Sequence, residues 1–157
     1  MKIYFRCVKG TGFYDHIITW YSRSPYSHAE FAWPLNSSSP EQWLGAQPSG
    51  GVQSRPENYL HYPYDLFYVL ATESQRNKLH HFLADQIGKP YDWNAITAMG
   101  LPFLRSSRKG WFCSELVFYG LSSIGIPLLR EPLNDSDLIT PRDLAISLVA
   151  QQKMGAT

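Results

Sequence analysis

Cysteine is scarce in this sequence, with only Cys7 and Cys113 among 157 residues. Two cysteines so far apart cannot form the disulfide framework that stabilises small secreted proteins. The histidines and cysteines also lack the C-x-x-C and H-x-x-x-H spacings that indicate zinc sites. We therefore expect two reduced thiols and neither a metal nor another cofactor.

An excess of charge of one sign is also missing. The 14 Lys and Arg residues nearly balance the 13 Asp and Glu residues, which leaves a formal net charge of +1. Nucleic-acid-binding domains usually carry a clear basic excess, so no nucleic-acid partner is expected. Three basic residues do lie close together, but a cluster of this size is more typical of a solvated loop than of a phosphate site: Arg105, Arg108 and Lys109.

Long apolar runs are absent as well. The first residues, MKIYFRCVKG, alternate like a β-strand and lack the apolar stretch of roughly 7–15 residues that a signal peptide needs. No run reaches the roughly 18–20 apolar residues of a membrane-spanning helix. The sequence therefore predicts a cytoplasmic protein that does not span a membrane.

The composition is that of a folded protein. Hydrophobic residues make up 44% of the chain and aromatic residues 15%, which is enough to build a core without disulfides or metal. No internal repeat or linker interrupts the sequence. We predict a single domain over residues 1–157.

Periodicity predicts alternating strands followed mainly by helices. Thr72 with Gln75 forms a capping box, and Thr140 followed by Pro141 marks the start of a last helix. Strands are predicted at 2–9, 27–33, 41–47 and 64–70, and helices after Gly12, after Thr72, from Phe112 and from Thr140. This order predicts the α+β class with an antiparallel sheet.

The stretch WFCSEL, residues 111–116, places Cys113 at the start of a helical pattern. Free amide N–H groups and the helix dipole stabilise a thiolate there, and the thiolate is the nucleophilic form of cysteine. The same N–H groups can hold the oxyanion that forms on an attacked carbonyl. A lone cysteine on an apolar helix face is, however, usually a packing residue. This stretch alone leaves both interpretations open.

A cysteine nucleophile needs a base, and His28 is the best placed of the histidines. Glu30 follows two positions later, so the period of a β-strand puts both side chains on one face. A carboxylate in that position can fix the tautomer of the imidazole ring. The alternative is an exposed polar face of an edge strand. The other histidines have no such companion: His16, His61, His80 and His81.

Five motifs in this order resemble those of a known family: SHAEF, GGVQSRP, GKPYDW, FCSELV and TPRDL. Together they are similar to the permuted NlpC-type papain-like cysteine hydrolases of the YiiX/YebB-like group, with a compact phage-borne branch as one option. The resemblance implies a papain-like core in which an antiparallel sheet packs against a helix that carries the cysteine at its N-terminus. In the permuted group the histidine precedes the cysteine, as it does here.

The resemblance also implies roles for single residues. Cys113 matches the nucleophile, His28 the general base and Glu30 the orienting third residue, while Tyr91 matches a tyrosine that stabilises the oxyanion or positions the substrate. Tyr91 could equally be an aromatic residue packed under the helix, and Glu115 is interpreted as structural. Many relatives have an acidic residue where this sequence has Gly45, so Gln42 and Gln47 are alternatives to Glu30.

The function that these expectations favour is hydrolysis of an amide, peptide or ester bond through a thioester acyl-enzyme. Acyl transfer or thioester hydrolysis on the same fold is one alternative. A catalytically silent binding or virion-associated protein is another. The expected partner is a small peptide, amide or acyl substrate, for which cell-wall peptides are what the wider superfamily implies.

Overall fold

An antiparallel sheet of six strands forms the centre of the computed structural model, which describes residues 1–101, 110–129, 138–147 and 149–152. The strands lie in the order β4-β3-β2-β1-β5-β6. Every neighbouring pair is antiparallel. Their bounds are β1 (Lys2–Val8), β2 (His28–Trp33), β3 (Gln42–Gln47), β4 (Gly51–Pro56), β5 (Tyr64–Leu70) and β6 (Gln151–Gln152).

Five α-helices and a short 3₁₀ turn accompany the sheet in the described part of the chain. The capping box predicted at Thr72 is present, because its hydroxyl accepts a hydrogen bond from the amide of Gln75 at 3.2 Å. The bounds are α1 (Phe13–Ser22), the 3₁₀ turn (Glu57–Tyr59), α2 (Glu73–Gln86), α3 (Trp93–Gly100), α4 (Cys113–Ser123) and α5 (Pro141–Ala145). The predicted α+β class with an antiparallel sheet is confirmed.

The main core lies between one face of the sheet and the helices. Helix α4 crosses this face closely because Gly120 has no side chain, and a Cβ there would lie 3.1 Å from Leu79 and 3.3 Å from Phe31. Cys7 is buried in the same core, where its thiol donates to the carbonyl oxygen of Pro141 at 3.7 Å. Cys7 is therefore a packing residue.

A second, smaller cluster covers the opposite face of the sheet. Its buried members are Ala32, Trp43 and Leu66, with Tyr4, Tyr59 and Tyr64 packed around them. Strand β1 is consequently buried on both faces, and even Arg6 is only 1% exposed. The alternation of β1 predicts a half-buried strand, which is wrong because this second cluster lies over its polar face.

Helix α1 forms where the apolar spacing predicts it, but its aromatic residues face outward. Phe13 and Trp20 are 75% and 74% exposed, whereas Ile18 is buried.

The structure also contains two elements that are not predicted from the sequence, strand β4 and helix α3. The basic cluster Arg105, Arg108 and Lys109 lies outside the described residues. Within the described part, no helix has the length and apolarity needed to cross a bilayer.

Candidate active site

The sequence-predicted site residues converge at one end of the sheet. Val8, the last residue of β1, pairs with His28, the first residue of β2. Ser27 connects the start of β2 to the end of β1. Its amide donates to the carbonyl oxygen of Val8 at 2.9 Å, and its hydroxyl accepts from the amide of Gly10 at 3.1 Å. The imidazole of His28 is therefore held at the sheet end that faces α1 and α4.

Glu30 is completely buried, and both of its carboxylate oxygens have hydrogen-bond partners. Oε2 accepts two bonds from Arg6, from Nε at 2.9 Å and from a terminal nitrogen at 2.7 Å. Oε1 lies 3.1 Å from Nε2 of His28 and accepts from Gln47 and from the hydroxyl of Tyr59. A buried charge needs such pairing to be tolerated.

His28 lies between Glu30 and Cys113. Its Nε2 faces Glu30 and also lies 3.1 Å from the side-chain amide nitrogen of Gln47. The other ring nitrogen, Nδ1, is therefore the one available to interact with the thiol of Cys113. Burial of the ring disfavours the cation, but the charges of Glu30 and Cys113 and hydrogen bonds to both raise the pKa of His28 to about 10. The ring is therefore positively charged at neutral pH in this arrangement.

Cys113 is the first residue of α4 and has no exposed surface. The N-cap residue is Phe112, whose side chain cannot accept a hydrogen bond, so no side chain caps the first-turn amides from that position. The hydroxyl of Ser114 donates to the carbonyl oxygen of Ile139 at 2.6 Å and fixes the first turn against the segment that leads to α5. The sulfur is thus held at the positive end of the helix dipole.

Tyr91 lies next to the cysteine helix because three distant segments are joined by backbone hydrogen bonds. Trp111 donates to the carbonyl oxygen of Pro90 at 3.0 Å, and Asp92 donates to that of Trp111 at 3.0 Å. Val52 of β4 donates to the carbonyl oxygen of Lys89 at 2.9 Å. The motifs GGVQSRP, GKPYDW and FCSELV therefore meet in space.

Two glycines make this approach possible. A Cβ at Gly51 would lie 2.1 Å from the carbonyl oxygen of Lys89, and a Cβ at Gly110 would lie 2.4 Å from that of Pro90. Gln86 supports the same segment, since its side-chain oxygen accepts from Lys89 at 2.7 Å and from the indole of Trp111 at 3.1 Å.

The ring of Tyr91 is 8% exposed and packs against Phe112, with ring centroids 6.0 Å apart. Burial, followed by the nearby charge of Cys113, raises the pKa of Tyr91 well above its ordinary value. Its hydroxyl therefore stays protonated and can donate a hydrogen bond. Sequence leaves packing and participation open for Tyr91, and this position next to the thiol is compatible with both.

A cavity of about 200 Å³ opens over these residues. His28, Gln47 and Tyr91 line one side of it, and Phe13 and Asp15 of α1 line the other. The sulfur of Cys113 does not line it, in agreement with the complete burial of that residue. Of His28, Tyr91 and Cys113, the first two reach the cavity and Cys113 does not.

Of the two glutamines that are alternatives to Glu30 as the orienting third residue, only Gln47 lies near His28. Gln47 lies at the end of β3 beside His28, and its amide nitrogen is 2.5 Å from the hydroxyl of Tyr59. Gln42 is exposed at the opposite end of β3, where it pairs with Trp33. Glu30 and Gln47 are both brought to His28, and Gln42 is not.

Arg6 and Tyr59 are part of this site and are missed by sequence reasoning. Arg6 stands at a polar position of an alternating strand, which is typical of a solvent-facing residue. Tyr59 follows β4 in a turn that carries no motif. One signal could have identified Arg6: a fully buried glutamate requires a cationic partner, and a residue on a strand adjacent to Glu30 is well placed to be that partner.

A wider apolar groove of about 540 Å³ lies beside the cavity. It runs between α1 and α3, with Ile17 and Trp20 on one wall and Ile96 on the other. Phe13 lines both the groove and the cavity, so the two are neighbours. Its surface is mostly apolar, and His16 is the only titratable residue among its described lining residues.

Comparison of the sequence with family models and with curated proteins finds no match. The fold, in contrast, is similar to that in the crystal structure of the metalloprotein YiiX (DUF1105) from Escherichia coli O157:H7. The TM-score is 0.74 at 15% sequence identity, over 99% of this chain and 97% of that chain. The chain shares its fold with YiiX. This likeness extends over nearly the whole of both chains and concerns the fold alone.

YiiX is described as a metalloprotein. Within the described ranges, no group of three or more His, Cys, Asp and Glu side chains is arranged to hold a metal ion. The carboxylate of Glu30 is already occupied by Arg6, Tyr59, Gln47 and His28. The described residues do not fit a metal site.

Proposed function

We propose that the protein is a cysteine hydrolase with a papain-like core of the permuted NlpC type. In this proposal it cleaves an amide, peptide or ester bond through a thioester on Cys113. His28 is the general base, and Glu30 orients it. The observation that carries the proposal is the position of His28, which interacts with Cys113 on one side and with Glu30 on the other.

The reaction starts from the cationic ring of His28 beside the sulfur of Cys113, which reacts as the thiolate. The thiolate attacks the carbonyl carbon, a C–S bond forms, and the carbonyl electrons move to oxygen. When the tetrahedral intermediate collapses, the C–N or C–O bond breaks and the leaving group takes the proton from His28. Water then gives a proton to His28 and attacks the thioester, and the C–S bond breaks as the acid leaves, which restores the thiolate beside the cationic ring.

The developing oxyanion requires hydrogen-bond donors that are already in place. The amide of Cys113 is one candidate, because the helix starts there without a side-chain cap from Phe112. The hydroxyl of Tyr91 is the second candidate, because its raised pKa keeps it protonated. Removal of one such donor typically costs about 100- to 1,000-fold in turnover.

The complete burial of Cys113 makes access part of the mechanism. A substrate in the cavity meets His28 and Tyr91 before it meets the sulfur. Access to the sulfur therefore requires a side-chain movement at the wall of the cavity when the substrate binds. Such side-chain rearrangements on binding are common in proteins.

Acyl transfer or thioester hydrolysis is the second candidate function, and the apolar groove favours it. The groove between α1 and α3 presents the exposed aromatic rings of Phe13 and Trp20 beside the cavity. An apolar patch of this kind suits an acyl chain better than a polar peptide. Turnover of short-chain and long-chain p-nitrophenyl esters tests this candidate, because only an acyl-specific enzyme gains in kcat/KM with chain length.

A catalytically silent binding protein is the third candidate, and it is favoured by the lack of exposed surface on Cys113. Reaction of the protein with p-nitrophenyl acetate separates it from the enzymes. A hydrolase or acyltransferase gains one acetyl group on Cys113, detectable by peptide mapping, together with a matching burst of p-nitrophenol. A silent protein shows neither the burst nor the adduct, and that result would overturn the proposed function.

A further inference from the structure

The two carboxylate oxygens of the buried Glu30 have different partners. Arg6 directs two nitrogens at Oε2, at 2.9 and 2.7 Å. Oε1 is thereby left to His28, together with Gln47 and Tyr59. Two charge-assisted bonds to one oxygen fix the rotation of the carboxylate, and this rotation decides which oxygen faces the imidazole.

Arg6 is itself held rigidly by aromatic rings. Its guanidinium lies 4.2 Å from the ring centroid of Trp43, 5.0 Å from that of Tyr64 and 5.6 Å from that of Tyr59. Cation–π contacts of this kind are strongest where water is excluded, and Arg6 is 1% exposed. The three rings therefore hold the guanidinium in place against Glu30.

Gly45 provides the space in which Glu30 lies. It stands on β3 beside β2, and a Cβ at this position would lie 2.8 Å from Cγ and 3.2 Å from Oε1 of Glu30. Any side chain at position 45 would therefore push the carboxylate away from its present place. Gly45 on β3 and Arg6 on β1 therefore both determine where the carboxylate of Glu30 lies.

We propose that Arg6 and Gly45 are positioning residues for the proposed cysteine chemistry, on which this inference rests. Arg6 anchors Oε2 of Glu30, and Gly45 keeps the space for its side chain open, so that Oε1 stays directed at His28. Neither residue touches the substrate. Together with Glu30 they form a unit across three neighbouring strands, β1, β2 and β3.

The charged and titratable groups that face Glu30 determine the pH at which its carboxylate takes up a proton. They are Arg6 from β1, His28 from its own strand and Tyr59 from the 3₁₀ turn, while Gln47 from β3 is neutral. Burial raises the pKa of Glu30, but these groups outweigh it and lower the value to about 2. Without Arg6, Glu30 takes up a proton at a higher pH. Where Glu30 is protonated, its carboxylate no longer orients His28.

The test is the rate at which iodoacetamide alkylates Cys113 between pH 4 and 9, measured by peptide mapping. Protection of Cys7 in the same samples reports that the core is folded. For Arg6→Met we expect the pKa of Glu30 to rise from about 2 by roughly two units or more, so that the acid limb of the profile moves up into the measured range. Arg6→Lys keeps the charge without the two-nitrogen contact and should move it less. Gly45→Ala displaces the carboxylate while both charges remain, and should slow alkylation about ten- to a hundredfold.

Matched controls carry the same substitutions elsewhere. Arg76→Met removes a partly exposed arginine on α2, and Gly100→Ala adds a methyl group where nothing lies within 4 Å. Both should keep the wild-type profile. Folded Gly45→Ala and Arg6→Lys proteins with wild-type profiles would overturn the positioning roles and leave the proposed function standing. A wild-type Cys113 that reacts no faster than it does in a His28→Gln variant would overturn both proposals together.

Discussion

Gly51 packs directly against the backbone of Lys89, so closely that a Cβ on Gly51 would lie 2.1 Å from the carbonyl oxygen. Its φ of 72° also lies in the left-handed region that favours glycine. This contact joins the start of β4 to the segment that carries Tyr91 next to the cysteine helix.

Substitution of Gly51 should therefore damage the site as well as the fold. Gly88 is a matched control, because its φ is 86° but nothing lies within 4 Å of a Cβ built there. We expect Gly88→Ala to lower the free energy of unfolding by about 1 kcal/mol, and Gly51→Ala by roughly 2–4 kcal/mol. Urea unfolding measures both, and equal losses would show that the close approach is unimportant.

The hydroxyl of Tyr91 can be tested separately from its ring. Tyr91→Phe keeps the packing against Phe112 but removes the proposed oxyanion donor. We expect the rate of acetylation by p-nitrophenyl acetate to fall about 100-fold or more, with little change in thermal stability. Tyr68→Phe, on β5 and away from the cavity, is the control. An unchanged rate in Tyr91→Phe would assign Tyr91 to packing.

The thermal midpoint should depend on pH through Glu30 and His28. Glu30 has a pKa lowered to about 2, so its stabilising contribution is complete above its ordinary pKa of 4.5 and is lost as the pH falls towards 2. His28 has a pKa raised to about 10, so its contribution is complete below 6.5 and is lost as the pH rises towards 10.

The two contributions are therefore both complete between about pH 4.5 and 6.5. We expect the difference in thermal midpoint between the wild-type protein and Glu30→Gln to be largest in this window and to shrink on either side. Calorimetry across the pH range measures it. A difference that keeps growing from pH 6.5 to pH 9 would contradict the ion pair.

The two cysteines provide an internal comparison, because both have no exposed surface. Cys113→Ala should abolish acetylation by p-nitrophenyl acetate, whereas Cys7→Ala should leave it intact. Each loses one buried sulfur, so each should lower the free energy of unfolding by about 1–2 kcal/mol. Acetylation that persists in a folded Cys113→Ala protein would exclude Cys113 as the nucleophile.

The main strands and the meeting of His28 with Glu30 follow from sequence for a simple physical reason. Alternation with a period of two specifies a strand and the residues that share its face. The start of α4 at Cys113 follows from apolar residues at helical spacing in the same way. These features depend on local patterns, which a single sequence contains.

The remaining features depend on which surfaces meet. Arg6 has the pattern of a solvent-facing residue, and only the second cluster on the far side of the sheet makes it a buried partner of Glu30. The aromatic residues of α1 have the spacing of a core-facing stripe, yet Phe13 and Trp20 face outward. Periodicity reveals that a helix has two faces, but not which of them packs.

The dependence of Cys113 on His28 is measured by the rate of Cys113 alkylation with iodoacetamide at pH 6 in the wild-type protein and in His28→Gln. We predict that the wild-type thiol reacts at this pH, because the cationic ring of His28 stabilises its thiolate, and that the variant reacts at least about tenfold more slowly. Equal rates in the two folded proteins would show that His28 does not activate Cys113.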